Sequence, residues 1–306
     1  MLPGIEGYNS CVQKLLIVGS GDIARRVLPL LSGRYRLLAL VRSADRAAAW
    51  RSLGVLPIHA DLDDRRSLHR LAGIAELVVH LAPPPASGAC DRRTQALLAA
   101  LSGGKSLPRR LIYISTTGVY GDCRGERIDE TRRRKPESDR ARRRCDAEDR
   151  VRAFGRRHGV AVTVLRVPGI YAADRLPLER LRAGMPVLEA GEDTYTNHIH
   201  ADDLAAAIAA ALRHGKANRI INVVDDSELR MGDYFDHLAD AFALPRPARL
   251  PRQEIMARLS PLQWSFLRES RRIDNHRLKR ELKLRMRYPT VIDGIAAARL
   301  HSPVTS

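Results

Sequence analysis

The feature that most constrains this chain is a short apolar run, Lys14-Leu15-Leu16-Ile17-Val18, that breaks directly into Gly19-Ser20-Gly21-Asp22-Ile23-Ala24. A run of this length ending in Gly-x-Gly-x-x-Ala predicts a buried strand that turns sharply into a helix. Gly19 permits the tight turn, Gly21 has no Cβ to obstruct a phosphate, and Ala24 lets the helix lie close to the sheet. The unpaired N–H groups of the helix start, around Ser20, Asp22 and Ile23, then face an anion. The turn therefore predicts a site for a dinucleotide pyrophosphate.

The pattern behind the turn supports a parallel sheet. Strands are predicted at Arg36–Val41, Pro57–Ala60, Leu77–Leu81, Arg110–Ser115, Val160–Val167 and Arg219–Val223, and helical segments fall between them. Alternation of this kind packs helices on both faces of a parallel sheet. The intervening helices are Ile23–Leu31 (ended by Gly33), Ala44–Ser52, Arg65–Leu71, Asp91–Leu101, Arg140–Arg157 and the alanine-rich Ala201–Arg213. Beyond Asp225 the period changes: Tyr234–Phe242 and Ile255–Leu267 are predicted helices, separated by Pro245, Pro247 and Pro251. The expected fold class is α/β, a Rossmann-type doubly wound parallel sheet with a small C-terminal substrate lobe. Residues 13–170 plus 200–225 form the nucleotide-binding part, and 171–199 plus 226–306 a smaller, mainly helical lobe over the carboxyl edge of the sheet.

Composition narrows the partners. The 306 residues are 44% hydrophobic, enough for one large core or two unequal ones. No apolar run approaches the roughly 20 residues that span a bilayer, and Met1–Gln13 lacks the basic and apolar regions of a signal peptide. Cys11, Cys90, Cys123 and Cys145 show neither metal-ligand spacing nor a disulfide framework, so reduced thiols and a cytoplasmic setting are expected. The net charge of +17 invites a nucleic-acid reading. Only six of the 52 basic residues are lysine, however, and the arginines are spread over the whole chain. With aromatics at 5% there is no base-stacking platform, so nucleic acid is disfavoured as a partner. One cluster, Arg132-Arg133-Arg134-Lys135 with Arg140, Arg142, Arg143 and Arg144, is either a solvated face or an anion-binding lip.

Chemistry is expected at the strand ends. Arg42 follows strand two, where NAD-selective sites place a carboxylate for the ribose 2′-hydroxyl. With Arg46 one helical turn on, it offers a fork to a 2′-phosphate, so NADP(H) is the preferred cofactor over NAD(H). Asp61 and Leu62 follow strand three, where a carboxylate can accept from an adenine amino group; Asp63 is the better candidate to cap the Arg65 helix. Leu81, Ala82 and Pro83 form a rigid loop past which ribose and nicotinamide lie. Strand five then delivers Ser115-Thr116-Thr117-Gly118-Val119-Tyr120-Gly121.

That segment resembles the Ser-Ser-x-x-Val-Tyr-Gly signature of the extended short-chain dehydrogenase/reductases, the group of sugar-nucleotide epimerases and dehydratases. Further matches follow in the family's order: the glycine turn, Asp61-Leu62, Leu81-Ala82-Pro83, Leu165-Arg166-Val167-Pro168-Gly169-Ile170-Tyr171, Asn197-His198-Ile199-His200-Ala201-Asp202-Asp203-Leu204, and Tyr288-Pro289-Thr290 with Gly294. The resemblance spans residues 14–297. It implies a dinucleotide site extending to Pro168, a small-molecule substrate, and a homodimer through the helices around strand five.

The departure from the family is as informative. Its members use a Tyr-x-x-x-Lys pair about 25 residues after the strand-five hydroxyl, with tyrosine as acid/base and lysine lowering its pKa and holding a ribose. None of the eight tyrosines here has a lysine four residues on. Arg140 and Arg144 stand at that spacing instead, so the chain resembles an atypical branch of the family. Arginine cannot replace the tyrosine as a proton donor, because its pKa stays above about 12. It can hold a ribose or polarise a carbonyl. Candidate catalytic residues are thus Thr116 with its neighbours Ser115 and Thr117, and candidate substrate contacts are Arg140, Arg144 and His200. Asp122, Glu126 and Asp129 on the following loop are alternative bases. Asp202 is expected to cap the Ala201 helix, and Trp264 and Phe266 to lie in core. His198 and His200, two residues apart without a third ligand, do not make a metal site. The expected function is NAD(P)-dependent redox or epimerase-like chemistry, with a non-catalytic dinucleotide sensor as the alternative.

Overall fold

The structure, a computed structural model, describes residues 12–259, 264 and 267–301. Seven strands form the central sheet: β1 (Lys14–Val18), β2 (Arg36–Val41), β3 (Leu56–His59), β4 (Leu77–His80), β5 (Arg110–Thr116), β6 (Ala161–Val167) and β7 (Arg219–Asn222). All neighbours pair in parallel, in the order β7-β6-β5-β4-β1-β2-β3. The order reverses between β1 and β4, the place where open α/β sheets leave a ligand crevice.

The strands form because their apolar runs are buried on both faces. In β1, Leu15 and Ile17 enter one hydrophobic cluster while Leu16 and Val18 enter another. Helices α1 (Asp22–Leu31) and α5 (Ala201–His214) cover the first face. Small alanines at 205, 207, 209, 210 and 211 are buried there, which lets α5 lie close. Helices α3 (Arg92–Ser102) and α4 (Asp139–His158) cover the other face. Helix α2 (Ala44–Arg51) closes the β2–β3 crossover and sinks Trp50 into the core.

Elements outside the sheet gather around separate apolar clusters. Tyr171, Leu181, Val187, Tyr234, Phe235, Leu238 and Val291 form one, built largely from α6 (Met231–Ala241) and the helix Val291–His301. The short parallel pair Gly169–Tyr171 and His198–His200 joins this region to the sheet just past β6.

Several local expectations need correction. Arg65–Leu71 is a 3-10 helix, and its cap is Asp64, which accepts from Arg66 N; Asp63 lies one residue too early. Helix α5 is capped by His200, whose Nδ1 accepts from Asp202 N at 3.1 Å, so Asp202 is left free to pair with Arg26 at 2.8 Å. Of the expected Ile255–Leu267 helix, the first part belongs to a helix Arg252–Arg258 that stops at Leu259, and positions 264 and 267 are again helical, with 260–263 and 265–266 outside the described residues. Trp264 is half-buried against Leu188, Ile255 and Leu267 as expected, whereas Phe266, Cys11 and most of Met1–Gln13 lie outside the described residues. The other cysteines, Cys90, Cys123 and Cys145, are free thiols. No helix among the described residues is long and apolar enough to cross a membrane.

Candidate active site

The carboxyl ends of β1 to β4 enclose a cleft of about 350 Å³. It is lined by Gly19, Ser20, Gly21, Asp22, Ile23, Arg42, Asp61, Leu62, Leu81, Ala82 and Pro83, so all of these predicted residues are brought together. Gly19 sits at φ +103°, and a Cβ there would stand 2.5 Å from Ala82 N. The requirement for glycine therefore comes from the β4 loop crossing over the turn. At Gly21 a Cβ would meet nothing within 4 Å, so the space over the start of α1 is open. Gly21 caps α1 without any side-chain bond, which leaves the first N–H groups of the helix for a ligand.

Charge in this cleft suits a polyanion. Arg42, Arg46, Arg93 and Arg175 line it against Asp22 and Asp61. Arg46 donates to Ser20 O at 2.9 Å, bracing the glycine turn from α2. Arg93 forks onto Asp63 at 2.8 and 2.5 Å and also donates to Pro83 O at 3.3 Å. That fork holds the Asp63 carboxyl below the usual carboxylate range. Arg42 is exposed and makes no hydrogen bond among the described residues.

Beyond the sheet's midline, the ends of β5 and β6 open into two further cavities. The smaller, about 170 Å³, is lined by Thr116, Thr117, Arg140, Pro168, Glu269 and Arg271, among others. The larger, about 290 Å³, shares Thr117, Pro168, Glu269 and Arg271 with it, and Ile170 and Arg175 with the β1–β4 cleft. Through these shared walls the larger cavity adjoins both the glycine-turn cleft and the smaller cavity.

Thr116 ends β5 and caps the next turn, its Oγ1 accepting from Gly118 N at 3.2 Å. Its own hydroxyl proton remains available to a ligand oxygen. Ser115 points the other way. Its hydroxyl donates to Glu148 Oε1 at 2.6 Å, inside a buried network where Arg166 also forks onto Glu148 at 3.0 and 2.7 Å. Ser115 is thus committed to tying β5 and β6 to α4. Single bonds in this network already span up to 33 positions in sequence, and sequence reading missed it.

The first turn of α4 carries Arg140, expected from its spacing after Thr116 to reach the site. Ser138 caps it, and Arg140 lines the small cavity next to Thr116. Arg144 lies one turn deeper and donates to Tyr113 Oη at 3.0 Å and Ile114 O at 2.8 Å, so the structure does not bring it to the cavities. His200 is also absent from them: it is buried as the cap of α5, with its ring 4.0 Å from that of Tyr288. The supposed anion-binding lip is dispersed. Arg132 pairs with Glu126, Arg134 with Glu148 and Asp149, Arg142 with Asp139, and Arg143 donates to Gly88 O.

The carboxylate in the cavities comes from an unexpected place. Asp122 accepts from Ser270 N, Glu126 pairs with Arg132, and Asp129 accepts from Thr131, so the loop acids are turned to structural work. Glu269, only 9% exposed, lines both cavities instead. Arg271 donates to it at 2.6 Å and to Gly121 O at 2.8 Å, which fastens the carboxylate to the end of the Thr117–Tyr120 turn. No motif flags Glu269, because it lies about 150 residues from Thr116. Among the described residues, no group of three His, Cys, Asp or Glu is arranged to hold a metal ion.

A Rossmann sheet with a glycine turn, a strand-five hydroxyl and a cavity over the sheet edge defines a dinucleotide-binding protein of the epimerase/dehydratase type. Residues 15–223 match the NAD dependent epimerase/dehydratase family, and the chain belongs to it. It is 27% identical to Protein YeeZ of Escherichia coli K12 over 244 residues, 77% of this chain and 86% of that one. A conserved protein of unknown function from Silicibacter pomeroyi superposes with a TM-score of 0.77 at 27% identity, covering 94% of this chain and 98% of the other. DesIV, a dTDP-glucose 4,6-dehydratase from Streptomyces venezuelae whose structure has NAD bound, superposes with a TM-score of 0.73 at 22% identity, over 94% and 96% of the two chains.

Proposed function

We propose that the protein is an NADP(H)-preferring oxidoreductase or epimerase-like enzyme acting on a small sugar-like or anionic molecule. The observation that carries this reading is the row of adjoining cavities that runs from the glycine-turn cleft, through shared walls, to one lined by both Thr116 and Glu269. In this reading residues 13–170 and 200–225 hold the dinucleotide, while 171–199 and 226–306 complete the substrate site. The open space over Gly21 and the basic lining fit the pyrophosphate, and Arg42 fits a 2′-phosphate. When bound there, the nicotinamide supplies hydride transfer. Thr116 donates to the substrate oxygen and Arg140 supports the charge that develops on it. Glu269, held by Arg271, takes the part of the missing tyrosine by accepting or returning the proton. Ser115, Arg144 and His200 are positioning residues in this scheme. A homodimer through α3 and α4 accompanies it.

A second reading, a non-catalytic dinucleotide sensor, draws on Arg144, which is bonded into the strand ends at the place of the family lysine. Calorimetric titration separates the two. NADPH should bind at least about tenfold more tightly than NADH, and Arg42→Ala should erase that difference. Equal affinities would remove the NADP preference, and binding of neither would remove the dinucleotide site. Glu269→Gln should keep NADPH affinity and lose turnover about a hundredfold against a panel of carbonyl compounds. Binding without any wild-type turnover favours the sensor.

A further inference from the structure

The larger cavity contains one charge with no counterpart. Three arginines line it: Arg175 pairs with Asp22 at 3.2 Å, Arg271 pairs with Glu269, and Arg180 has no carboxylate partner among the described residues. Arg180 stands on the short helix Leu178–Arg182, with its guanidinium 4.8 Å from the centroid of the Phe235 ring. Its Nε is buried and makes no hydrogen bond. Burial pushes this guanidinium below its ordinary value, and only Tyr234 acts in the other direction. The surroundings do not neutralise it either. His198, buried in the same cavity wall, has its pKa lowered to about 4 by desolvation, so at neutral pH it is uncharged.

A half-buried, stacked guanidinium with an unused donor is costly to maintain without a partner anion. Stacking on an aromatic face fixes the plane of the fork, which is the arrangement that receives a carboxylate or phosphate through two bonds. The cavity of about 290 Å³ lies at the small end for ligand sites, which run from roughly 300 Å³ upward. We propose that Arg180 is the specificity residue of this site. It receives the carboxylate or phosphate of a compact anionic substrate, one without a nucleotide, whose far end reaches Thr117 and Glu269. This rests on the reading of the cleft given above, and it adds the class of substrate.

The test titrates NADPH-saturated protein with glucose 6-phosphate, glucuronate, glucose and UDP-glucose. The expected result is that at least one of the two simple anions binds about tenfold or more tightly than glucose, and that UDP-glucose gains nothing over it. The tighter of the two names the head group as phosphate or carboxylate. Arg180→Met keeps an apolar chain on Phe235 and should abolish the preference, while Arg180→Lys should restore part of it; NADPH affinity should stay at the wild-type value in both. The proposal is overturned if glucose matches both anions, if UDP-glucose is the tightest, if nothing binds, or if Arg180→Met leaves anion affinity unchanged. Should NADPH itself fail to bind, the cofactor reading falls, and the same anion titrations on the cofactor-free protein still report on Arg180.

Discussion

The two ends of the cleft are built on different principles. At the glycine-turn end, backbone does most of the work: the Gly19 turn under the Ala82 loop, the bare start of α1, and strand ends that each deliver a few consecutive residues. At the Thr116 end, side chains from distant segments do it: Glu148 gathers Ser115 and Arg166, and Glu269 arrives with Arg271 from beyond α6. The first kind of site follows from local sequence, whereas the second exists only once the chain has folded.

Breaking each end should have a distinct signature. The largest effect is expected from Glu148→Ala, which leaves the buried Arg166 charge and the Ser115 hydroxyl without their acceptor. Loss of one partner of a buried pair costs about 3–5 kcal/mol, visible as a lower denaturant midpoint. Gly19→Ala comes next. Strain at a positive φ, together with the approach to Ala82 N, should cost about 2–3 kcal/mol and weaken dinucleotide binding in calorimetry. An unchanged Kd in that variant would show that the turn is not the anion site.

The smallest effect concerns the region beside the larger cavity. Asp225 is buried, its Oδ2 has no hydrogen-bond partner, and burial pushes its pKa up to about 7. Because the folded value lies above the unfolded one, its favourable contribution is complete below about pH 4 and is lost as pH rises through 7. Asp225→Asn should therefore match wild type at or below about pH 4 and pull ahead of it between pH 4 and 7, by about 1 kcal/mol or more at pH 8, read by thermal melts across that range. A constant difference at all pH values would place the effect elsewhere. His80 and His198, lowered to about 3 and about 4 by burial, act in the opposite sense: they favour the fold above about pH 6.5 and withdraw that support as pH falls. They are common to both proteins and cancel in the comparison.

The same contrast explains what could be read from the sequence. Strand β2 falls on the predicted Arg36–Val41, and the cleft residues from Gly19 to Pro83 converge, because apolar period and glycine geometry are local properties. The helix caps slipped by one or two residues, Asp64 for Asp63 and His200 for Asp202, since neighbouring polar side chains compete for the same N–H and spacing alone does not rank them. His200 and Arg144 stand on faces that turn inward, and helix period alone does not show which way a polar side chain near a strand end will face. Glu269 gave no local signal at all, because the turn it is fastened to lies about 150 residues earlier in the chain.

Arg93 has a kinetic consequence. By clamping Asp63 from the β3 loop and the Pro83 and Pro84 carbonyls of the β4 loop, it cross-braces the rim of the glycine-turn cleft. On the proposed function, a rim braced by the protein's own bonds has little to order when a dinucleotide arrives, so differences between dinucleotides should appear in residence time rather than in capture.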